Sequence, residues 1–484
     1  MRPEPALFLF LAAASCVLNP ATGHQQLNLI SESKEIQMGQ QAAKEVTAQI
    51  GLYDDPNVEL YVADLGKRLA ALSDRPNVPF QFHVVDDASV NAFALPGGPI
   101  FVTRGILAHL TSEAELATVV GHEIGHVAAR HSVNQLSKQE LAQAGLGVGS
   151  ILSPEVAALG QLAGAGLNLM FLKFSREDED QADQLGFRYA LKAGYDVRVM
   201  KDLFVMLDRV SQTGQGGKLP EWLATHPNPE NRLKTTEERL TKTQADYSQL
   251  EVKRDSYLAV IDGIVFGENP RHGFFKGNSF LHPALKFKID FPQGWKTQNQ
   301  PQAVAGISPN QDAIFELAPT RAASPEMAAQ EFSSQQGIQT LDVRKGNVNN
   351  LPAVSSYFRA QTDQGTLAGT ACFVSLGGRT YVLLGYTTLA KLGAYEPSFQ
   401  QVIASFNILT DPEALNVQPA RVHVVKLPRP MTVTEFNAQY PSSIPVDQVA
   451  LINGVDKNAT IPAGEKVKRV IGGVKSQPAV SKAR

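Results

Sequence analysis

From Leu27 to about Val265 the pattern of apolar and polar positions predicts a mainly helical region, with apolar residues recurring every third or fourth position along its helices. Ser33–Ile50 and Val58–Leu72 carry it clearly, with Asp54-Asp55-Pro56 breaking the chain between them. Phe80–Val85 alternates and reads as a strand, and Val90–Leu95 and Ile100–Val102 flank Pro96-Gly97-Gly98-Pro99 as a hairpin. Ser112–Gln135 reads as one long helix opened by a capping box, Ser112 with Glu115 three residues on. Leu141–Leu172 is rich in Ala, Gly and Leu and is broken at Ser153-Pro154-Glu155. Gln161 and Asn168 interrupt its second half, so it reads as packed helices or a lid rather than a membrane span. After Glu230 a charged helix is expected to run to about Asp262.

The texture then changes. Leu285, Phe287, Ile289 and Phe291 alternate, as do Phe373–Leu376 and Thr380–Leu384 around Gly377-Gly378, with one helical stretch near Pro325–Ser334. This reads as a separate α+β module over 275–410. A linker, Thr410–Pro419, leads to a small unit at 420–472, and residues 473–484 read as a disordered tail. The expected fold class is therefore α+β and multidomain, with the mainly helical domain at 27–265.

A chain of 484 residues suits about two to four domains. Lys+Arg 44 against Asp+Glu 47 leaves a net charge of −3, which excludes nucleic-acid binding by broad phosphate neutralisation and docking on anionic lipid through a polybasic face. Ala6–Leu18 forms a short apolar core behind Arg2, the size of a signal-peptide core and too short for a stable anchor. Two cleavage readings stand side by side. Small residues at Ala21-Thr22-Gly23 give a signal peptide over 1–23, whereas Ala13-Ala14-Ser15-Cys16 resembles a lipobox that would leave an acylated Cys16 as a membrane anchor. Either way the chain is expected to be exported, to a bacterial periplasm. Cys372 is then left without a disulfide partner.

His122-Glu123-Ile124-Gly125-His126 lies inside the long predicted helix, and its two His, four residues apart, sit one turn above each other on one face. Glu123 points about 100° away from His122, so it can approach a metal-bound water without filling a ligand position. Zinc lowers that water's pKa toward ~7, and Glu123 can take its proton during attack on a carbonyl. Leu116, Val119, Val120, Ile124 and Val127 make this a buried helix, where two unpaired imidazoles would be costly; that favours a metal. For the third ligand, an extended HExxHxxGxxH site fails at Ala129 and Ser132, and His131 lies about 140° off the face of His126 on a continuous helix. A carboxylate from Ser175-Arg176-Glu177-Asp178-Glu179-Asp180-Gln181-Ala182-Asp183 is the alternative. Glu179 and Asp183 share a helix face, so Glu179 could bind the ion while Asp183 orients a ligand His. Spacing alone leaves Glu177, Asp178, Glu179 and Asp180 open.

GHEIGHVAARH, SREDEDQADQLG and the hairpin NAFALPGGPIFVTRG (Asn91–Gly105) together resemble the M48 family of zinc metallopeptidases, in its soluble, exported bacterial branch that includes an outer-membrane assembly protease. The resemblance covers about residues 30–260 and implies a gluzincin-type domain holding one zinc ion. It implies Glu179 as third ligand, with Asp183 the Asp of the same Glu-x-x-Ala-Asp element. Thr225–Arg232 resembles the family's His-Pro segment near the metal. His226 could fill the fourth zinc position at rest or donate to the oxyanion, and Arg232 could pair with Asp183 or stabilise the intermediate. By the same resemblance Asn91, Ala92, Phe93, Ala94 and Leu95 form the edge strand that pairs with an extended peptide substrate.

The 275–410 module faintly resembles the Mog1/PsbP-type α/β sandwich. Residues 420–472 look like a degenerate LysM repeat, with Arg429-Pro430-Met431 where Gly-Asp is usual, which makes peptidoglycan a candidate partner. The expected function is a zinc-dependent endopeptidase of the cell envelope acting on misfolded or misassembled proteins. The alternative is a periplasmic chaperone or scaffold for outer-membrane proteins with latched or minor protease activity.

Overall fold

The computed structural model describes residues 16–23, 25–146, 169, 172–213, 226, 229–300, 303–362 and 365–473. They fall into two compact units, Met1–Gly267 with Ala420–Gly472, and Glu268–Pro419 with Gly473–Arg484.

The first unit opens on an antiparallel pair, β1 (Cys16–Leu18) and β2 (Gln25–Leu27). Between them Asn19 is buried and donates its amide to the Ala129 carbonyl at 2.9 Å. Helix α1 (Glu32–Ile50) is capped by Ser31, and α2 (Pro56–Ala70) by Asp55, with Pro56 supplying the fixed φ of a first turn. β3 (Gln81–Val85), β4 (Ala92–Ala94) and β5 (Pro99–Thr103) form a sheet in the order β3-β5-β4. β3 runs parallel to β5, while β4 and β5 are the two arms of the hairpin. Gly97 turns that hairpin at φ +71°, where a Cβ would lie 2.5 Å from the Ile36 Cα.

After α3 (Arg104–His109) comes α4 (Glu113–Ala128), buried along its whole length. Ser112 caps it through the Glu115 N–H, but the Glu115 carboxylate turns outward to Thr111 and does not close the box. The helix expected to continue to Gln135 stops at Ala128. Arg130 takes a left-handed φ of +56°, held by Glu35 Oε2 at 2.8 Å and the Ile30 carbonyl at 2.9 Å, and α5 (His131–Leu146) sets off anew. Of the expected helices or lid over Leu141–Leu172, most lies outside the described residues.

A reciprocal capping box does form at Ser175 and Asp178, opening α6 (Arg176–Lys192). α7 (Met200–Thr213) and α8 (Pro229–Lys242) follow. The single charged helix expected to Asp262 is instead two, because the chain leaves helix after Lys242 and re-enters at α9 (Arg254–Ile261) beyond a left-handed Lys253. Val62 and Leu65 of α2, Val102 of β5, Leu116 and Val120 of α4, Leu185 of α6 and Phe204 of α7 share one core.

The second unit is built on β6 (Phe274–Lys276), β7 (Ser279–His282), β8 (Phe287–Asp290), β9 (Lys296–Gln300), β10 (Ala303–Ile307), β11 (Ala313–Pro319), β12 (Ile338–Val348), β13 (Leu351–Thr362), β14 (Gly365–Leu376), β15 (Arg379–Thr388) and β16 (Asn407–Ile408). They make one sheet ordered β12-β13-β14-β15-β11-β10-β9 and another ordered β16-β8-β7-β6, with α10 (Pro325–Ser333), α11 (Leu392–Ser405) and α12 (Pro412–Leu415). Cys372 is a buried free thiol on β14.

Residues 420–472 rejoin the first unit. β17 (Arg421–Lys426), β18 (Met431–Thr432), α13 (Val433–Gln439), α14 (Val446–Ile452), β19 (Thr460–Ile461) and β20 (Lys466–Ile471) place two helices between the antiparallel partners β17 and β20. The fully buried Lys468 Nζ donates to the carbonyls of Ala108, His109 and Leu110 at 2.9, 3.3 and 2.6 Å, closing the end of α3. Residues 474–484 lie outside the described residues. Among the described residues no helix is long and apolar enough to cross a membrane.

Candidate metal centre

The site is made where α4 crosses α6. A Cβ on Gly186 would stand 2.7 Å from the His122 backbone nitrogen, and one on Gly121 3.1 Å from Gly186, so the backbones touch only because both positions are bare. That approach puts Glu179 beside the helical His pair. The Nε2 atoms of His122 and His126 are 3.0 Å apart, and the Glu179 oxygens lie 3.6 Å from each. The Ser175 cap fixes the phase of α6. Asp178 is spent on the cap, Glu177 faces Gln181, Asp180 pairs with Arg239 in solvent, and only Glu179 of the four acids reaches the rings. His226 enters just before α8, its Nδ1 2.8 Å from Glu179 Oε1 and 3.4 Å from His122 Nε2. Ligand atoms of His122, His126, Glu179 and His226 all lie within 4.8 Å of one another, in full burial. Among the described residues no second such group of His, Cys, Asp and Glu occurs.

Asp183, one turn along from Glu179, accepts from His122 Nδ1 at 2.9 Å. Arg232 grips the same carboxylate with two bonds, Nε to Oδ2 at 2.8 Å and Nη2 to Oδ1 at 2.6 Å, and its Nη1 is 3.3 Å from Glu179 Oε2. Its guanidinium lies 4.7 Å over the Phe204 ring. Burial works to raise the Asp183 carboxyl, but Arg232 and His122 outweigh it and hold it well below the usual range. Burial lowers His122 to about 4, so it is neutral at pH 7, the state a metal ligand needs. Against the pull of burial, Glu179 keeps His226 above the ordinary imidazole value.

Glu123 sits on the same turn as His122 but faces β4. It takes a backbone hydrogen bond from Ala94, its Oε1 is 3.7 Å from His226 Nε2, and burial pushes its carboxyl up to about 8. β4 stands at the edge of its sheet, as expected of a peptide-pairing strand, yet it is not exposed: Asn91, Ala92, Phe93 and Leu95 are buried and only Ala94 is partly accessible.

One residue escaped the sequence reading. His131, set aside because a continuous helix would aim it elsewhere, lies with its Nδ1 2.9 Å from His126 Nδ1. The left-handed Arg130 brings it back, and no local signal announces that turn, since Ala129 and Arg130 are both strong helix formers.

The donor chemistry fits a divalent ion. Three imidazoles and a carboxylate are a zinc set, and two buried oxygens, Glu179 Oε2 and Glu123 Oε1, have no hydrogen-bond partner among the described residues.

Residues 56–240 match the sequence pattern described as Peptidase family M48, whose metalloproteases use zinc. The Mitochondrial metalloendopeptidase OMA1 of Schizosaccharomyces pombe is 34% identical over 232 residues, covering 46% of this chain and 66% of that one. The Beta-barrel assembly-enhancing protease of Escherichia coli K12 is 30% identical over 250 residues, half of each chain. The chain thus spans between half and about two thirds of these relatives' lengths. A cyanobacterial PsbP of Synechocystis overlaps 27% of this chain and 91% of its own, at 11% identity and a TM-score of 0.23, too low to carry any assignment. With the metal cluster, Glu123, Asp183 and Arg232 all inside the matched segment, the chain carries a domain of peptidase family M48 over residues 56–240.

Proposed function

We infer that the chain is a zinc-dependent endopeptidase of the bacterial cell envelope. The observation that carries this is Glu123: a fully buried carboxyl, one oxygen of which has no hydrogen-bond partner among the described residues, next to four converging ligand atoms and hydrogen-bonded to an edge strand. His122, His126 and Glu179 would hold the ion. When bound, zinc supplies a Lewis acid that acidifies water and polarises a carbonyl. Glu123 takes the proton of the attacking water and passes it to the leaving amine. Asp183 and Arg232 keep His122 oriented, and β4 is the edge along which an extended substrate would pair once the packing that buries it gives way. Zinc analysis together with casein cleavage, with and without chelator, tests the reading. Glu123→Gln should keep its zinc and lose about 10²–10⁴-fold in cleavage; cleavage at the wild-type rate would remove Glu123 from the chemistry.

His226 supports a second reading, a latched site whose main work is assembly of outer-membrane proteins. Its Nδ1 lies among the ligand atoms, so it can close the fourth zinc position at rest. His226→Ala separates the roles. Higher cleavage with zinc retained means a latch, lower cleavage with zinc retained means oxyanion stabilisation, and no change dismisses both.

Envelope location draws on the Escherichia coli relative and on the sequence of the N-terminus. Burial of Asn19 against Ala129 supports a mature chain that begins at Cys16 rather than after Gly23, and the mass of its N-terminal peptide distinguishes the two. The antiparallel pair β17 and β20, with β18, two helices and β19 between them, is the observation that favours the LysM-like reading and, with it, peptidoglycan as a partner.

A further inference from the structure

The two helical His are steadied in different ways. His122 gives its Nδ1 side to a carboxylate, the usual arrangement for a ligand imidazole. Among the described residues no carboxylate stands on the Nδ1 side of His126. What it meets there is the ring of His131, 2.9 Å away from nitrogen to nitrogen, with the two planes at 78° and centroids 5.0 Å apart. His126 Nε2 points into the cluster, 3.0 Å from His122 Nε2 and 3.6 Å from Glu179 Oε1, so a ligating His126 keeps its lone pair at Nε2 and its hydrogen at Nδ1. That hydrogen has one direction to go, onto the lone pair of His131 Nδ1. His131 must then carry its own hydrogen at Nε2, where Gln181 Oε1 stands 3.2 Å away and Asp178 Oδ1 3.7 Å. The Gln181 amide is oriented to accept, because its Nε2 faces Glu177 Oε1 at 3.4 Å.

The geometry points to His131 as a positioning residue that fixes the metal-binding tautomer of His126 through a relay ending on Gln181. The relay rests on the reading of the cluster as a zinc site. It is set up by the backbone. With α4 continued past Ala128, the His131 ring would face away; the left-handed Arg130, pinned by Glu35, turns it inward. His131 is 2% exposed and sits against no substrate strand, so its work is on the ligand rather than on the reacting atoms.

The test is zinc affinity by chelator competition, with the visible spectrum of the cobalt-loaded protein as a report on ligand geometry. Wild-type protein is measured first, and failure to bind one zinc per chain would overturn the site itself. Given binding, His131→Leu removes the acceptor and should weaken zinc about 10–100-fold with an altered cobalt spectrum. His131→Asn places an amide oxygen where Nδ1 stood and should stay within about threefold of wild type, following the same outer-shell logic. A purely packing role predicts the reverse order, since Leu fills a buried site better than Asn. Equal affinity in wild type and His131→Leu, or equal losses in both variants, would overturn the relay. Gln181→Leu, at a half-buried position that tolerates the change, gives an independent reading should His131→Leu fail to fold: a several-fold weakening supports the relay, and unchanged affinity overturns it.

Discussion

Asp183 orients His122 as a ligand while it stays ionised beneath it, and Arg232, with His122 itself, keeps it ionised. Asp183 and Arg232 are both buried, at 1% and 7% exposure. Taking away one partner of such a pair costs more than the pair contributes, because the survivor keeps its desolvation penalty. Arg232→Leu should therefore lower the stability of the metal-free protein by about 3–5 kcal/mol, read from urea unfolding followed by circular dichroism. Arg232→Lys, which keeps the charge and loses the two-pronged grip, should fall between. The sign with pH follows from the direction of the shift. Asp183 is held below its ordinary 3.8, so its contribution is present above that pH and is lost as pH falls through and below it. A variant as stable as wild type would mean the carboxylate is solvated after all. Residues of this kind were partly readable. The His pair and the shared face of Glu179 and Asp183 follow from helical period alone. The choice of Glu179 over its acidic neighbours needed the phase set by the Ser175 cap, and the partner of Asp183 lies 49 positions away, which no local rule reaches.

Helices α4 and α6 touch at three bare positions, Gly121, Gly125 and Gly186, and this contact decides whether Glu179 can share an ion with the His pair. Gly186→Ala would place a methyl 2.7 Å from the His122 backbone nitrogen, inside the distance any real contact allows. The neighbour is backbone within a buried helix, so relief must come from the helices moving apart. The cost should be about 1–3 kcal/mol, and zinc affinity should fall more than that of a glycine variant away from the crossing, such as Gly194→Ala. Equal zinc affinity in the two would show that the ligands tolerate a wider crossing. Helix existence was legible in the amphipathic spacing, whereas helix ends were not. The break after Ala128 depends on left-handed Arg130 and the restart at α9 follows left-handed Lys253, neither of them the glycine or asparagine that announces such a turn, and Arg130 is held there by Glu35 from a helix nearly a hundred residues earlier.

A zinc ion held by His122 and His126 on α4, Glu179 on α6 and His226 before α8 would cross-link three separate stretches of one unit. The second unit offers no ligand set among the described residues. A ligand that binds only the folded state stabilises it by mass action, by about 4 kcal/mol when its free concentration is a thousand times the dissociation constant. That gain belongs to the unit that holds the ligands. Residues 420–472 share it, since they pack in the same unit through Lys468, although the chain reaches them only after the whole second unit. Calorimetry should therefore resolve two transitions. Chelation should shift one of them down by several degrees and leave the other in place, with the amides of β17 and β20 losing hydrogen-exchange protection together with those of α4. Two transitions that shift alike, or C-terminal strands that stay protected while α4 opens, would mean that the 420–472 segment folds apart from the metal-bearing domain. The composition change at Thr410–Pro419 suggested such independence, because a sequence read in order cannot show a chain returning to a core it left 150 residues earlier.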